Sequence, residues 1–324
     1  MHKFYLLLIA ISIITLSACS NQERQWTSIV AVDGSKPIAR HEAAMAKVGD
    51  KIYLLGGRGT KPTSIYDTKQ GRWTQGATPP IEIHHFQPVV YDDKIYVIGA
   101  YTGGWPTETP VDSILIYHPN IDQWSIGDAI PQSRRRGAAG AIIYNDKIYL
   151  AGGIKNGHIG DHKKWLDSYD PTTGEWIQLQ DAPRARDHFS AVVIDDKLYL
   201  AAGRNTENGD NPFGNTIGEV DVYDLKKKHW NTLPNPIPTK RAGNAAIAYQ
   251  SELVILGGES DTQEMAHREV EALNTLNYEW RSLPPMITGR HGTGVVVHRG
   301  DMMIASGCGK RGGEPELDLM EVFQ

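Results

Sequence analysis

The feature that most constrains this chain is an internal repeat. Lys51-Ile52-Tyr53-Leu54-Leu55-Gly56-Gly57 recurs as Lys94-Ile95-Tyr96-Val97-Ile98-Gly99, as Lys147-Ile148-Tyr149-Leu150-Ala151-Gly152-Gly153 and as Lys197-Leu198-Tyr199-Leu200. Weaker copies run from Glu252 to Gly258 and from Asp301 to Gly307, making six. Each is a short apolar run, β-branched or aromatic, closed by glycine. That pattern reads as a buried strand followed by a turn.

A second landmark follows at a fixed distance. Tyr66-Asp67 precedes Trp73, Tyr117-His118 precedes Trp124, Tyr169-Asp170 precedes Trp176, Tyr223-Asp224 precedes Trp230 and Leu273-Asn274 precedes Trp280. From the second residue of each pair the gap is six every time. Gly71, Pro119-Asn120 and Pro171 lie inside these gaps, so each is a hairpin whose second strand carries Trp. Strand, double Gly, Tyr-Asp and Trp in units of about 50 residues resemble the kelch repeat, and the resemblance spans Gln25 to Gln324. It implies an all-β fold: a six-bladed kelch β-propeller of four-stranded blades over residues 25–324.

The ends of the repeat predict how the ring closes. Glu321-Val322-Phe323-Gln324 matches Asp221-Val222-Tyr223-Asp224, but no Trp strand follows it. Gln25-Trp26-Thr27 supplies the missing Trp, so the N-terminal strand is expected to complete the last blade and remove an open sheet edge.

Residues 1–18 read as a targeting segment. His2 and Lys3 give a basic start, and Phe4 to Leu16 is an apolar run too short for a membrane span but suited to a signal-peptide core. Leu16-Ser17-Ala18-Cys19 resembles a bacterial lipobox, which implies lipidation of Cys19 and a short anchored linker over 19–24. An ordinary cleaved signal is the alternative. Ser20 after the cysteine favours the outer membrane in Gram-negative lipoproteins. The expected location is the cell envelope, lipid-anchored, facing the periplasm or the cell surface. The only other cysteine is Cys308, so a disulfide scaffold is excluded. A formal net charge of −5 argues against sequence-independent nucleic-acid binding.

The chemistry was sought where a propeller's inner strands begin. Eleven residues before each repeat start stand Arg40, Ile83, Arg136, Arg186, Arg241 and Arg290, so five of six blades carry Arg. His41, His84, Asp187 and His291 follow directly, then Glu42, His85 and His188. Guanidinium groups converging on a cleft favour carboxylate, sulfate or phosphate. This reading makes Arg40, Arg136, Arg186, Arg241 and Arg290 ligand-binding residues of a cationic funnel. Its alternative is that they bond neighbouring loops. Trp105, in a Gly-Gly-Trp-Pro loop outside the blade pattern, is a candidate for stacking on a sugar face or for capping a loop.

The sequence supplies no reason to expect a cofactor or a metal. His84 and His85 are adjacent and would point to opposite faces of a strand. His158, Asp161 and His162 have ligand-like spacing, but in a Gly-rich loop. No G-x-S-x-G, phosphate loop, HExxH or CxxC pattern occurs. Galactose oxidase also has kelch blades, yet its copper radical site requires a cysteine–tyrosine cross-link, and only Cys308 remains here, in the last blade. Copper galactose oxidase activity is therefore not expected.

Two classes of function remain. One is an exported, lipid-anchored propeller that binds an anionic ligand, an acidic carbohydrate by preference, or an envelope protein, in uptake or as a scaffold. The other is a sugar-processing enzyme, by analogy with the periplasmic kelch propeller that interconverts sialic acid anomers, or a uronate lyase. For either chemistry the candidate catalytic residues are His84, His188, His291 and Tyr101, with Arg186 and Arg290 holding the carboxylate.

Overall fold

A computed structural model describes residues 23–206 and 211–324. The expected signal peptide, Cys19 and the start of the expected linker lie outside the described residues. Six antiparallel four-stranded sheets follow one another around a central channel, with strands in chain order from axis to rim. Blade I comprises Ala43–Val48, Lys51–Gly56, Ser64–Asp67 and Arg72–Gln75. Blade II comprises Val89–Tyr91, Lys94–Val97, Ser113–His118 and Gln123–Ala129. Blade III comprises Gly140–Tyr144, Lys147–Ala151, Leu166–Tyr169 and Trp176–Gln178, and blade IV Ala191–Ile194, Lys197–Leu200, Asp221–Asp224 and His229–Thr232. Blade V comprises Ala245–Tyr249, Glu252–Leu256, Val270–Asn274 and Trp280–Leu283.

Blade VI closes as the repeat predicts. Val295–His298, Asp301–Ala305 and Met320–Phe323 are completed by Trp26–Ile29, with Trp26 opposite Phe323 in register. The core lies between blades: each large apolar cluster draws from two neighbours, as where Leu55 and Ala44 of blade I meet Ile95, Val97 and Leu115 of blade II. Burial of each such side chain contributes about 1.5–3 kcal/mol.

The repeat residues do the joining. Tyr66 and Trp73 pair across their hairpin with ring centroids 5.2 Å apart, and Tyr169–Trp176 and Tyr223–Trp230 repeat the contact at 5.0 Å. Several Trp indoles then donate backwards to the preceding blade: Trp124 to the Ala77 carbonyl, Trp230 to Gln180, Trp280 to Asn235 and Trp26 to Pro284. The double glycine reaches forwards. Gly57 N–H donates to the Ile83 carbonyl, Gly153 to Arg186, Gly258 to Arg290, and Gly307 to Arg40 across the closure. A Cβ on Gly257 would stand 2.3 Å from the Arg290 carbonyl, so only glycine lets the next blade approach.

Candidate functional site

At one end of the channel the six blades meet in a ring of equivalent positions: Glu42, His85, Ala138, His188, Gly243 and Gly292. All six have left-handed φ, between 52° and 63°. Their N–H groups pass hydrogen bonds around the axis: His85 N to Glu42 O, Ala138 to His85, His188 to Ala138, Gly243 to His188 and Gly292 to Gly243. Ala43 N closes the circle on Gly292 O at 3.0 Å. The backbone is thus six-fold in pattern, while the side chains it presents differ at nearly every position.

Above this throat opens a cavity of about 810 Å³. Two short ribbons build part of its wall: Tyr101–Thr102 with Thr109–Pro110, and Ile154–Asn156 with Gly160–His162. The ribbons lock together where His158 N donates to Pro106 O at 2.9 Å. Gly157 permits this, since a Cβ there would lie 2.3 Å from that same carbonyl. Arg58, Trp105, Arg204, Phe213, Glu259 and His291 also line the cavity.

The five ligand-binding arginines are a correction. Arg40, Arg136, Arg186, Arg241 and Arg290 are 0–1% exposed. Their guanidinium groups are consumed within their own blades. Arg136 donates to Gly152 O, Leu150 O and Arg134 O and pairs with Asp167 at 2.7 Å. Arg186 pairs with Asp221, Arg241 with Glu271 and Arg290 with Glu321. Arg40 uses the Gly56 and Pro62 carbonyls and Ser64 Oγ. Burial lowers the Arg40, Arg136 and Arg186 pKa values to about 10, which leaves them charged at neutral pH. They are girders, and none of them lines the cavity.

The sequence carries a signal for this arrangement. In four blades a carboxylate stands two residues before the residue that faces the hairpin Trp: Asp167, Asp221, Glu271 and Glu321, before Tyr169, Tyr223, Leu273 and Phe323. Blade II, which has Ile83 in place of Arg, has Leu115 in place of the acid. Blade I keeps Arg40 but has Ser64 at the acid position, and there two carbonyls and the Ser64 hydroxyl satisfy the guanidinium.

Tyr101 is also corrected. It is 0% exposed, its hydroxyl donates to Ile154 O at 2.5 Å, and burial drives its pKa far up. It supports the ribbon and is unavailable as an acid. His84 is buried too, turned to Gly103 O at 2.9 Å and to His85. His188 stands in the throat and His291 in the cavity wall. Trp105 is 63% exposed at the cavity edge.

Charges around the cavity are matched rather than uniformly positive. Arg58 pairs with the buried Glu108 at 2.5 Å and Arg204 with Glu259 at 3.1 Å. Burial opposes ionisation of Glu42, but His291, His188, His41 and Arg58 outweigh it and hold its pKa at about 2. Burial equally opposes a charged His291. Glu259, Cys308 and Glu42 overcome it and raise that pKa to about 10. Burial and Arg204 push His188 down to about 4 against the pull of Asp187. Sequence reasoning missed Glu108 and Glu259, the acids that pair with the loop cations Arg58 and Arg204, because they belong to loops of no fixed length.

Blade number, hairpin pairing and closure together define a kelch-type β-propeller. The match to the Attractin/LZTR1 beta-propeller model over residues 14–265 places the chain within that family, to which it belongs. It is 30% identical over 284 residues to the kelch-like protein terF of Aspergillus terreus, covering 83% of this chain and 61% of that one. Kelch-like protein 23 of Homo sapiens is 24% identical over 79% of this chain, and beta-scruin of Limulus polyphemus 28% over 79%. The chain spans 43% and 29% of those two relatives. Among solved structures, that of YjhT superposes with a TM-score of 0.74 at 18% identity, covering 88% of this chain and 95% of the other. At that identity the likeness is one of fold.

Proposed function

We propose that this propeller binds a carbohydrate of one or two residues in the axial cavity, and that it does so in the cell envelope, held there by a lipid on Cys19. The observation that carries the reading is the cavity's composition: aromatic faces from Trp105 and Phe213 beside paired donors and acceptors, Arg58 and Arg204 against Glu42, Glu82 and Glu259. A sugar ring presents apolar C–H faces to aromatic rings and hydroxyls that both donate and accept. An acidic sugar is the preferred form. Arg58, whose side chain is 22% exposed, offers the guanidinium edge for its carboxylate.

Titration calorimetry and ¹H NMR with sialic acid, uronate oligosaccharides and a neutral hexose test this directly. Saturable binding that Trp105→Ala weakens about tenfold is the expected result. Absence of binding by every sugar would end the carbohydrate reading.

A catalytic variant rests on one further observation. A carboxylate held ionised, Glu42, and an imidazolium held charged, His291, face each other at 3.7 Å in the same cavity. A base beside an acid is the arrangement that anomer exchange needs, and accelerated exchange in the same NMR samples would reveal it. The lyase variant loses support, because Tyr101, Arg186 and Arg290 are buried and engaged. Protein docking is the competing use of this face. It is favoured by exposed apolar Trp105, Ile159 and Met265 on the loops after the second strands of blades II, III and V.

A further inference from the structure

Three histidines from three blades meet where the cavity narrows into the throat. One ring nitrogen each of His85, His158 and His188 lies within 4.8 Å of the other two. Their ring centroids are 4.8–5.1 Å apart, with planes inclined by 62–75°. No single loop carries them, so no spacing along the sequence marks them, and His158, Asp161 and His162 do not form a cluster. Asp161 pairs with Lys163, and His162 packs against Asp187 at 2.7 Å.

The hydrogen bonds around the three rings determine which nitrogen is left over. His158 Nδ1 lies 2.9 Å from a Glu108 carboxylate oxygen, which only accepts, so Nδ1 carries the hydrogen and Nε2 the lone pair. His188 Nδ1 donates in the same way to Asp187. His84 donates from Nε2 to Gly103 O at 2.9 Å, so its Nδ1 accepts, and His85 Nδ1 must donate across the 2.6 Å contact between them. In its neutral form each ring presents Nε2 as an acceptor to the same small volume.

That volume holds acceptors facing acceptors. His158 Nε2 and His188 Nε2 stand 3.1 Å apart, and His85 Nε2 is 3.3 Å from Glu42 Oε2. Two lone pairs at these distances repel unless something positive lies between them. Two ligands on one tetrahedral ion with bonds of about 2.0–2.1 Å are separated by about 3.3 Å, close to the 3.1 Å between His158 and His188, with His85 within 4.8 Å of both. Carboxylate-bonded imidazoles are also the arrangement that fixes tautomer and orientation at metal sites. Rings held this way are positioned before any ion arrives.

We infer that His85, His158 and His188 form a binding site for one divalent transition-metal ion at the throat of the propeller. Imidazole donors suit ions of the zinc, copper and nickel class over magnesium or calcium. Glu108 and Asp187 hold the rings as positioning residues, and Glu42 offers an oxygen at a fourth corner.

The test uses metal alone and stands apart from the sugar reading. Untagged full-length protein, stripped with chelator, is titrated with Zn²⁺ by calorimetry and with Co²⁺ by visible absorption. One saturable equivalent with d–d bands of a nitrogen-rich site is expected. His158→Ala, in a ribbon loop that does not build the ring, should abolish both signals with the melting temperature kept. Glu108→Gln should weaken Zn²⁺ about 10–100-fold. His229→Ala, on the exposed rim, should change nothing. No saturable binding, or His158→Ala binding as the unaltered protein does, overturns the proposal.

Discussion

The buried arginine shell and the axial mouth sit a few residues apart in five of the six blades, and they use charge in opposite ways. In the shell, each guanidinium is matched to carbonyls and, in four blades, to a carboxylate of its own blade. The pattern repeats from blade to blade. At the mouth the backbone ring is equally regular, but Glu42, His85 and His188 share it with Ala138, Gly243 and Gly292 in no repeating order. Partners there come from other blades: His158 of blade III reaches Glu108 of blade II, and Arg204 of blade IV reaches Glu259 of blade V. Periodicity marks what builds the ring. Broken periodicity marks what the ring holds.

The largest expected effect breaks the shell. Arg241→Met leaves Glu271 buried without its cation and should cost about 3–5 kcal/mol in chemical denaturation. Adding Glu271→Leu copies the Ile83–Leu115 pair of blade II and should recover more than half of that loss. If the double variant is no more stable than the single one, the shell is not a self-contained pair. Trp26→Ala, which strips the closing strand of its buried indole, should cost about 3–5 kcal/mol as well.

Changes at the mouth should leave stability nearly untouched. Trp105→Ala is expected to melt within about 0.5 kcal/mol of the unaltered protein while sugar binding falls about tenfold. A thermal shift of several degrees would instead make Trp105 a structural cap. A further effect concerns pH. His291, facing Glu42, Glu259 and Cys308, has a folded pKa of about 10, above its ordinary 6.5. Its contribution is therefore complete below pH 6.5 and lost as pH rises towards 10. In metal-free buffer, His291→Gln should flatten the decline of stability across that window. An unchanged slope would show that another group titrates there.

Much of the fold was legible because local rules repeat. A buried strand needs apolar residues, a blade junction needs glycine, and a hairpin needs its Tyr and Trp six residues on, so Trp26 could be assigned to blade VI before its partner Phe323 was seen. The arginines were legible as a set but misread as to direction. Reading Asp167, Asp221, Glu271 and Glu321 beside them would have turned them inward.

By itself, then, the sequence determined the six blades, the closure and the places where cations recur. Only the tertiary structure decided which of those cations are buried and which histidines meet. Burial is set by what packs over a residue from the next blade, and no spacing along the chain encodes that. His85, His158 and His188 lie up to 103 residues apart. They become neighbours because the ring turns three separate loops towards one axis.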